Sequence, residues 1–81
     1  MIENEKIEAL LTSQSDISLA KVTGDGYHYE ITVVSQSFQD LSRVKRQQKI
    51  YALLNDWISE GSLHAVTLNT LTPDEWEKRY G

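Results

Sequence analysis

Cysteine is absent from the sequence. That excludes disulfides, and with them a secreted mini-protein stapled by cross-links. It also excludes a thiol nucleophile and an all-cysteine metal site, so any cluster bound here must take its thiolates from another molecule. Long apolar runs are lacking as well; no stretch approaches the ~20 residues that span a bilayer. The opening residues, Met1-Ile2-Glu3-Asn4-Glu5-Lys6, are acidic and too poor in apolar residues for a secretion signal. The expectation is a soluble, cytoplasmic protein with no membrane contact. Repeats and low-complexity segments are missing, and no nucleophile-elbow motif surrounds any serine. The 81 residues suffice for one domain, 1–81, with little room for an enclosed active site beside its core. These features favour a non-enzymatic protein, a monomer or weak homodimer when alone.

Basic residues are few and unevenly placed. Four of the eight lie in one heptapeptide, Arg43 to Lys49, which contains no acid. The rest of the chain holds four basic against twelve acidic residues, a balance of −8. The protein is therefore an acidic domain with one basic spot. The overall charge opposes non-specific nucleic-acid binding, whereas the spot allows a local contact.

Apolar periodicity supplies the elements. Ile7, Leu10 and Leu11 mark a short helix over 2–12, with acids in its first turns. Residues 17–22 alternate weakly, and Thr23-Gly24-Asp25-Gly26 is a turn. Residues 27–34 alternate well, placing Tyr27, Tyr29, Ile31 and Val33 on a core face and His28, Glu30 and Thr32 on a wet one. After a polar connector anchored by Phe38, residues 41–59 form the longest helix. Its stripe is Ile50, Leu53, Leu54, Trp57 and Ile58, extended by Leu41, Val44 and Tyr51. Gly61 is placed to end it. Residues 63–69 read as a third strand. Thr72-Pro73-Asp74-Glu75 is a capping box that opens a last helix anchored by Trp76. The expected fold is α+β (α/β in the broad sense): α-β-β-α-β-α, a three-stranded mixed sheet covered on one face by helices.

Several segments carry a family resemblance. Val33-Val34-Ser35-Gln36-Ser37-Phe38, the basic helix from Leu41 to Tyr51, Leu63-His64-Ala65-Val66 and Thr70-Leu71-Thr72-Pro73-Asp74-Glu75-Trp76 together resemble the BolA-like proteins, in order and over nearly the whole chain. The short Gly24-Asp25-Gly26 turn and Arg43-Val44-Lys45-Arg46-Gln47-Gln48 look most like the IbaG (YrbA) branch. The resemblance implies a type II KH-like fold, although the Gly-x-x-Gly loop with which KH domains clamp nucleotides is missing. It also implies a role in iron–sulfur trafficking, iron sensing or stress response, in partnership with a monothiol glutaredoxin. The partner and glutathione would bring thiolates to a shared [2Fe–2S] cluster. This chain would bring the histidine of the His-Ala motif, His64, and would show no cofactor when isolated. Some relatives carry a Cys or His in the first hairpin loop; this loop has neither, and His28 just beyond it is the second candidate ligand.

Each candidate has a plainer reading. From alternation alone, His64 reads as a satisfied, partly buried histidine at the mouth of a strand. His28 reads as a solvated strand histidine. The run Arg43, Lys45, Arg46 and Lys49 reads as a solvated helix face, as a docking surface for glutaredoxin or glutathione carboxylates, or as a phosphate contact of a DNA-binding regulator. Tyr27 and Tyr29 read as core residues rather than base-stacking platforms. The capping box and the helix dipole account for Asp74 and Glu75.

Overall fold

The computed structural model describes residues 2–81. Helix α1 (Asn4–Thr12) is followed by strands β1 (Ile17–Gly24) and β2 (His28–Ser35), a 3-10 turn at Gln36–Phe38, helix α2 (Arg43–Ser59), strand β3 (Ala65–Leu71) and helix α3 (Pro73–Tyr80). The sheet order is β1-β2-β3, antiparallel between β1 and β2 and parallel between β2 and β3. A parallel pair needs a crossover, and α2 supplies it. This is the mixed sheet and element order that the sequence predicts.

The core lies between one sheet face and helices α1 and α2. Tyr29, Ile31 and Val33 of β2 are fully buried there, against Ile7 and Leu11 of α1 and Ile50 and Leu54 of α2. The chain before α1 is pinned as well: the Tyr29 hydroxyl donates to the Ile2 carbonyl (2.6 Å) and accepts the Ile2 N–H (3.1 Å). A buried hydroxyl with both partners avoids the cost of an unpaired polar group. Helix α2 starts on Ser42, whose side chain accepts the Lys45 N–H. It stops in a Schellman motif, with Gly61 at φ 85 and the N–H groups of Ser62 and Gly61 bonded to the carbonyls of Trp57 and Ile58.

Four expectations are corrected. Tyr27 is not a core residue; it is 77% exposed. The Asp25 carboxylate accepts the N–H groups of Tyr27 and His28, so a side-chain-capped turn holds Tyr27 outside the ladder, whose last pair is Gly24–Tyr29. Val44, Tyr51 and Ile58 are exposed, not part of the core stripe. They recur every seven residues and lie about 100° around the helix from Ile50, Leu54 and Trp57, a width the narrow sheet cannot cover. The third strand begins at Ala65 rather than 63, because the Schellman turn carries buried Leu63 into the core first.

The fourth correction concerns α3, which does not join the other helices. Trp76 and Tyr80, stacked 4.3 Å apart, line a depression with Lys21, Thr23, Glu30, Thr32 and Asn69. Those are outward-facing strand residues, so α3 lies against the second face. Trp76 is half-buried there instead of anchoring the core, and α3 has no fully buried residue. The reason is connection length: Thr72 caps α3 immediately after β3, leaving no loop to carry the helix across to the occupied face. Buried Val34, level with Leu19 and Leu71, forms the apolar end of this second face.

This division is testable by urea denaturation. Ile50→Ala is expected to cost roughly 2–5 kcal/mol. Val44→Ala is expected to stay within about 0.5 kcal/mol of the parent. Equal losses would place Val44 in the core after all.

Candidate functional site

The two histidines stand at the same end of the sheet. His28 opens β2 and is level with Ala65, and His64 is the residue before Ala65. Alternation nevertheless sends them to opposite faces. His28 lies on the outer face, where its Nε2 is 2.8 Å from the Thr67 hydroxyl. His64 lies on the side of α1 and α2, with Cε1 3.9 Å from the position a Cβ would take on Gly61. A Cβ at that distance would make only ordinary van der Waals contact, so Gly61 is required by its left-handed backbone at the end of α2 and not by the imidazole. His64 is exposed and has no hydrogen-bond partner among the described residues, unlike the satisfied, partly buried histidine that alternation suggests.

The hairpin turn beside these residues has a set shape. Gly24 has φ 147, and a Cβ there would collide with the His28 carbonyl oxygen. The Asp25 carboxyl is held below its ordinary range, chiefly by the N–H groups of Tyr27 and His28. Asp25, His28, Glu30 and Thr67 line an open depression of about 480 Å³. No group of three or more His, Cys, Asp or Glu side chains among the described residues is placed to hold a metal ion. What this end offers a metal centre is single imidazoles, suited to a site whose other ligands come from elsewhere.

The basic run does not form one surface. Arg46 turns inward: Nη1 and Nη2 meet the two Glu75 carboxylate oxygens at 2.7 and 3.4 Å, Nε donates to the Leu41 carbonyl, and Nη1 also reaches the Thr70 carbonyl. Its guanidinium sits 5.8 Å from the centre of the Phe38 ring. Lys49 donates to Asp16 (2.9 Å) and Ser37 (2.7 Å). Arg43 and Lys45 are exposed and make no ion pair among the described residues. The tertiary structure adds two cations that the sequence did not flag: Lys78 and Arg79, in the last turn of α3, join Arg43 and Arg46 around the end of β3. Their only sequence signal is a pair of basic residues at a helix C-terminus, about thirty-five positions from Arg43.

The profile of the BolA family, described as BolA-like protein, matches residues 2–75. The acid stress protein IbaG of Escherichia coli K12 is 35% identical over 77 residues, covering 95% of this chain and 92% of IbaG. A Haemophilus influenzae protein named DNA-binding transcriptional regulator BolA is 39% identical over 54 residues, 67% of this chain and 52% of the regulator. Among solved structures, a bolA protein homologue from Coxiella burnetii superposes with a TM-score of 0.80 at 29% identity, covering 95% of this chain and 99% of the homologue. No helix among the described residues is long and apolar enough to cross a membrane.

The Arg46–Glu75 pair carries a pH signature. Hydrogen bonds from Arg46, then the Thr72 N–H, hold the Glu75 carboxyl below its ordinary value. A lowered folded pKa adds stability above the unfolded pKa, and that stability is lost as pH falls through the folded one. The Glu75 side chain is 44% exposed, so solvent screens the pair and the effect is modest. Glu75→Gln keeps an oxygen for the Thr72 N–H and removes only the charge. The stability difference between parent and variant should be present at neutral pH and should close in acid; a gap that stays constant with pH would show the ion pair to be inert.

Proposed function

The chain belongs to the BolA-like family, and from that premise we propose that it is a non-enzymatic partner of a monothiol glutaredoxin, sharing a bridged [2Fe–2S] cluster in iron–sulfur trafficking, iron sensing or stress response. The observation that carries the reading is the state of His64: an exposed imidazole with no hydrogen-bond partner among the described residues. With no cysteine in the chain, the remaining ligands come from the partner and glutathione. An imidazole in place of a thiolate on one iron raises a cluster's potential, which suits a cluster that is passed on or sensed. We assign the ligand role to His64 rather than His28, because His28 is on the opposite face and engaged by Thr67. Exposed Tyr27 and Ile58, near the same end, offer apolar contact to the docked partner. The acid-stress name of the E. coli relative favours the stress-response branch of this reading.

Nucleic-acid binding is the second reading, favoured by the printed name of the H. influenzae relative and by exposed Arg43 and Lys45. Against it stand the engagement of Arg46 and Lys49 in ion pairs and the −8 balance outside residues 43–49. A salt-dependent gel shift weakened by Lys45→Glu would support it; no shift at low salt would end it.

The main reading is tested by visible circular dichroism of a cluster-loaded monothiol glutaredoxin titrated with this protein. The parent is expected to reshape the spectrum at a one-to-one ratio, His28→Ala to do the same, and His64→Ala to leave it unchanged. A spectrum indifferent to the parent protein would sink the proposal.

A further inference from the structure

The two edges of the sheet are finished differently. On β1 the Val22 N–H, which points out of the sheet, donates to the Glu8 carboxylate of α1 at 2.9 Å. A register irregularity between Ile17 and Leu19 disturbs the same strand. Plugged donors and bulges are devices that stop an edge from pairing with another chain.

That bond also shows which way the other strands face. The N–H and C=O of one residue point to the same side of a strand, and neighbours alternate. Since Val22 points away from β2, Lys21 and Thr23 make the β1–β2 bonds, opposite Thr32 and Glu30. In β2, Tyr29, Ile31 and Val33 therefore turn their backbone groups toward β3. Ile31 is level with Leu68, so in a parallel ladder it bonds the flanking residues Thr67 and Asn69. Val66, Leu68 and Thr70 are left facing outward. The Thr70 carbonyl agrees independently, because it accepts from Arg46 at 3.2 Å. No other described side chain or loop backbone bonds the outward groups of Val66 and Leu68.

This open row runs between two helices. Arg43 and Gln47 of α2 and Arg79 of α3 enclose a cleft of about 190 Å³ along Leu68 and Thr70. The cleft meets a larger depression of about 430 Å³ reaching Lys78. On α2, three residues before and four after Gln47, lie Val44 and Tyr51, 62% and 37% exposed. Arg43, Lys78 and Arg79 have no ion-pair partner among the described residues, in a chain of net charge −4.

We propose that the open edge of β3 is a strand-addition site for an extended, acidic segment of a partner protein. The outward groups of Val66 and Leu68 and the N–H of Thr70, whose carbonyl Arg46 already holds, supply the ladder, Val44 and Tyr51 receive apolar side chains on one side, and Arg43, Lys78 and Arg79 select carboxylates at the end. A second copy does not answer these cations by edge pairing, since Ala65–Leu71 carries no acid. A nucleic-acid backbone offers no peptide ladder. Its cations lie at the end of β3 remote from His64, and the proposal does not rest on the cluster reading.

The test titrates the isotope-labelled full chain with the acidic peptide acetyl-Val-Glu-Val-Glu-Val-Glu-amide and reads backbone amide shifts and anisotropy. The expected shifts centre on Val66, Leu68 and Thr70. The double variant Arg43→Glu/Arg79→Glu should weaken binding about tenfold or more. Both side chains are exposed, so the variant is expected to keep its far-UV spectrum. A peptide N-methylated on its ladder-forming residues, and one with Lys for Glu, should both fail. Equal binding by either peptide, or unchanged affinity in the double variant, overturns the proposal. So do concentration-dependent shifts at these amides without peptide, which would give the edge to a second copy.

Discussion

One guanidinium ties the second half of this protein together. Arg46 is nearly buried, its side chain 14% exposed, and a group of that kind must find partners for its rigid set of donors. It finds them on the connector before α2, at the end of β3 and in the capping box of α3. The Glu75 carboxylate closes that capping box on the Thr72 N–H while it pairs with Arg46. The same interaction therefore sets the start of one helix, the end of a strand and the start of another helix. It also explains why a basic helix does not present a continuous basic face: its best-placed cation is spent inside.

With that corner held, β3 acquires two distinct ends. At its start are His64, the tail of α2 and the hairpin turn shaped by Gly24 and Asp25. At its finish are Arg43, Lys78 and Arg79. Seven residues of strand separate them, roughly 23 Å. The first end offers an exposed imidazole, and the second offers exposed cations beside the edge of the sheet. The proposed glutaredoxin contact and the proposed strand-addition site would thus draw on different groups of the same small strand.

Much of this was legible in the residues. The order of elements followed from alternation in β2, from the i, i+4 spacing of Ile50 and Leu54, and from turn and cap chemistry at Gly24, Gly61 and Thr72. Where the reading went astray, a local pattern outran the sheet that could satisfy it. Tyr27 continues the alternation of β2 but lies beyond the last paired residue. Val44, Tyr51 and Ile58 continue the stripe of α2 but lie beyond the width of three strands. Trp76 has the character of a core anchor, yet a helix that starts one residue after its strand cannot reach the core side.

The sequence by itself determined the elements, the capping of α2 and α3, the family and the candidacy of His64, because these depend on neighbours within a few positions or on whole-chain pattern. Only the tertiary structure decided which charges remain free, that His28 and His64 face opposite ways, that Lys78 and Arg79 meet Arg43, and which edge of the sheet stays open. Those outcomes depend on groups twenty to forty residues apart, and on the parity of backbone hydrogen bonding across three strands. Composition and periodicity carry no record of either.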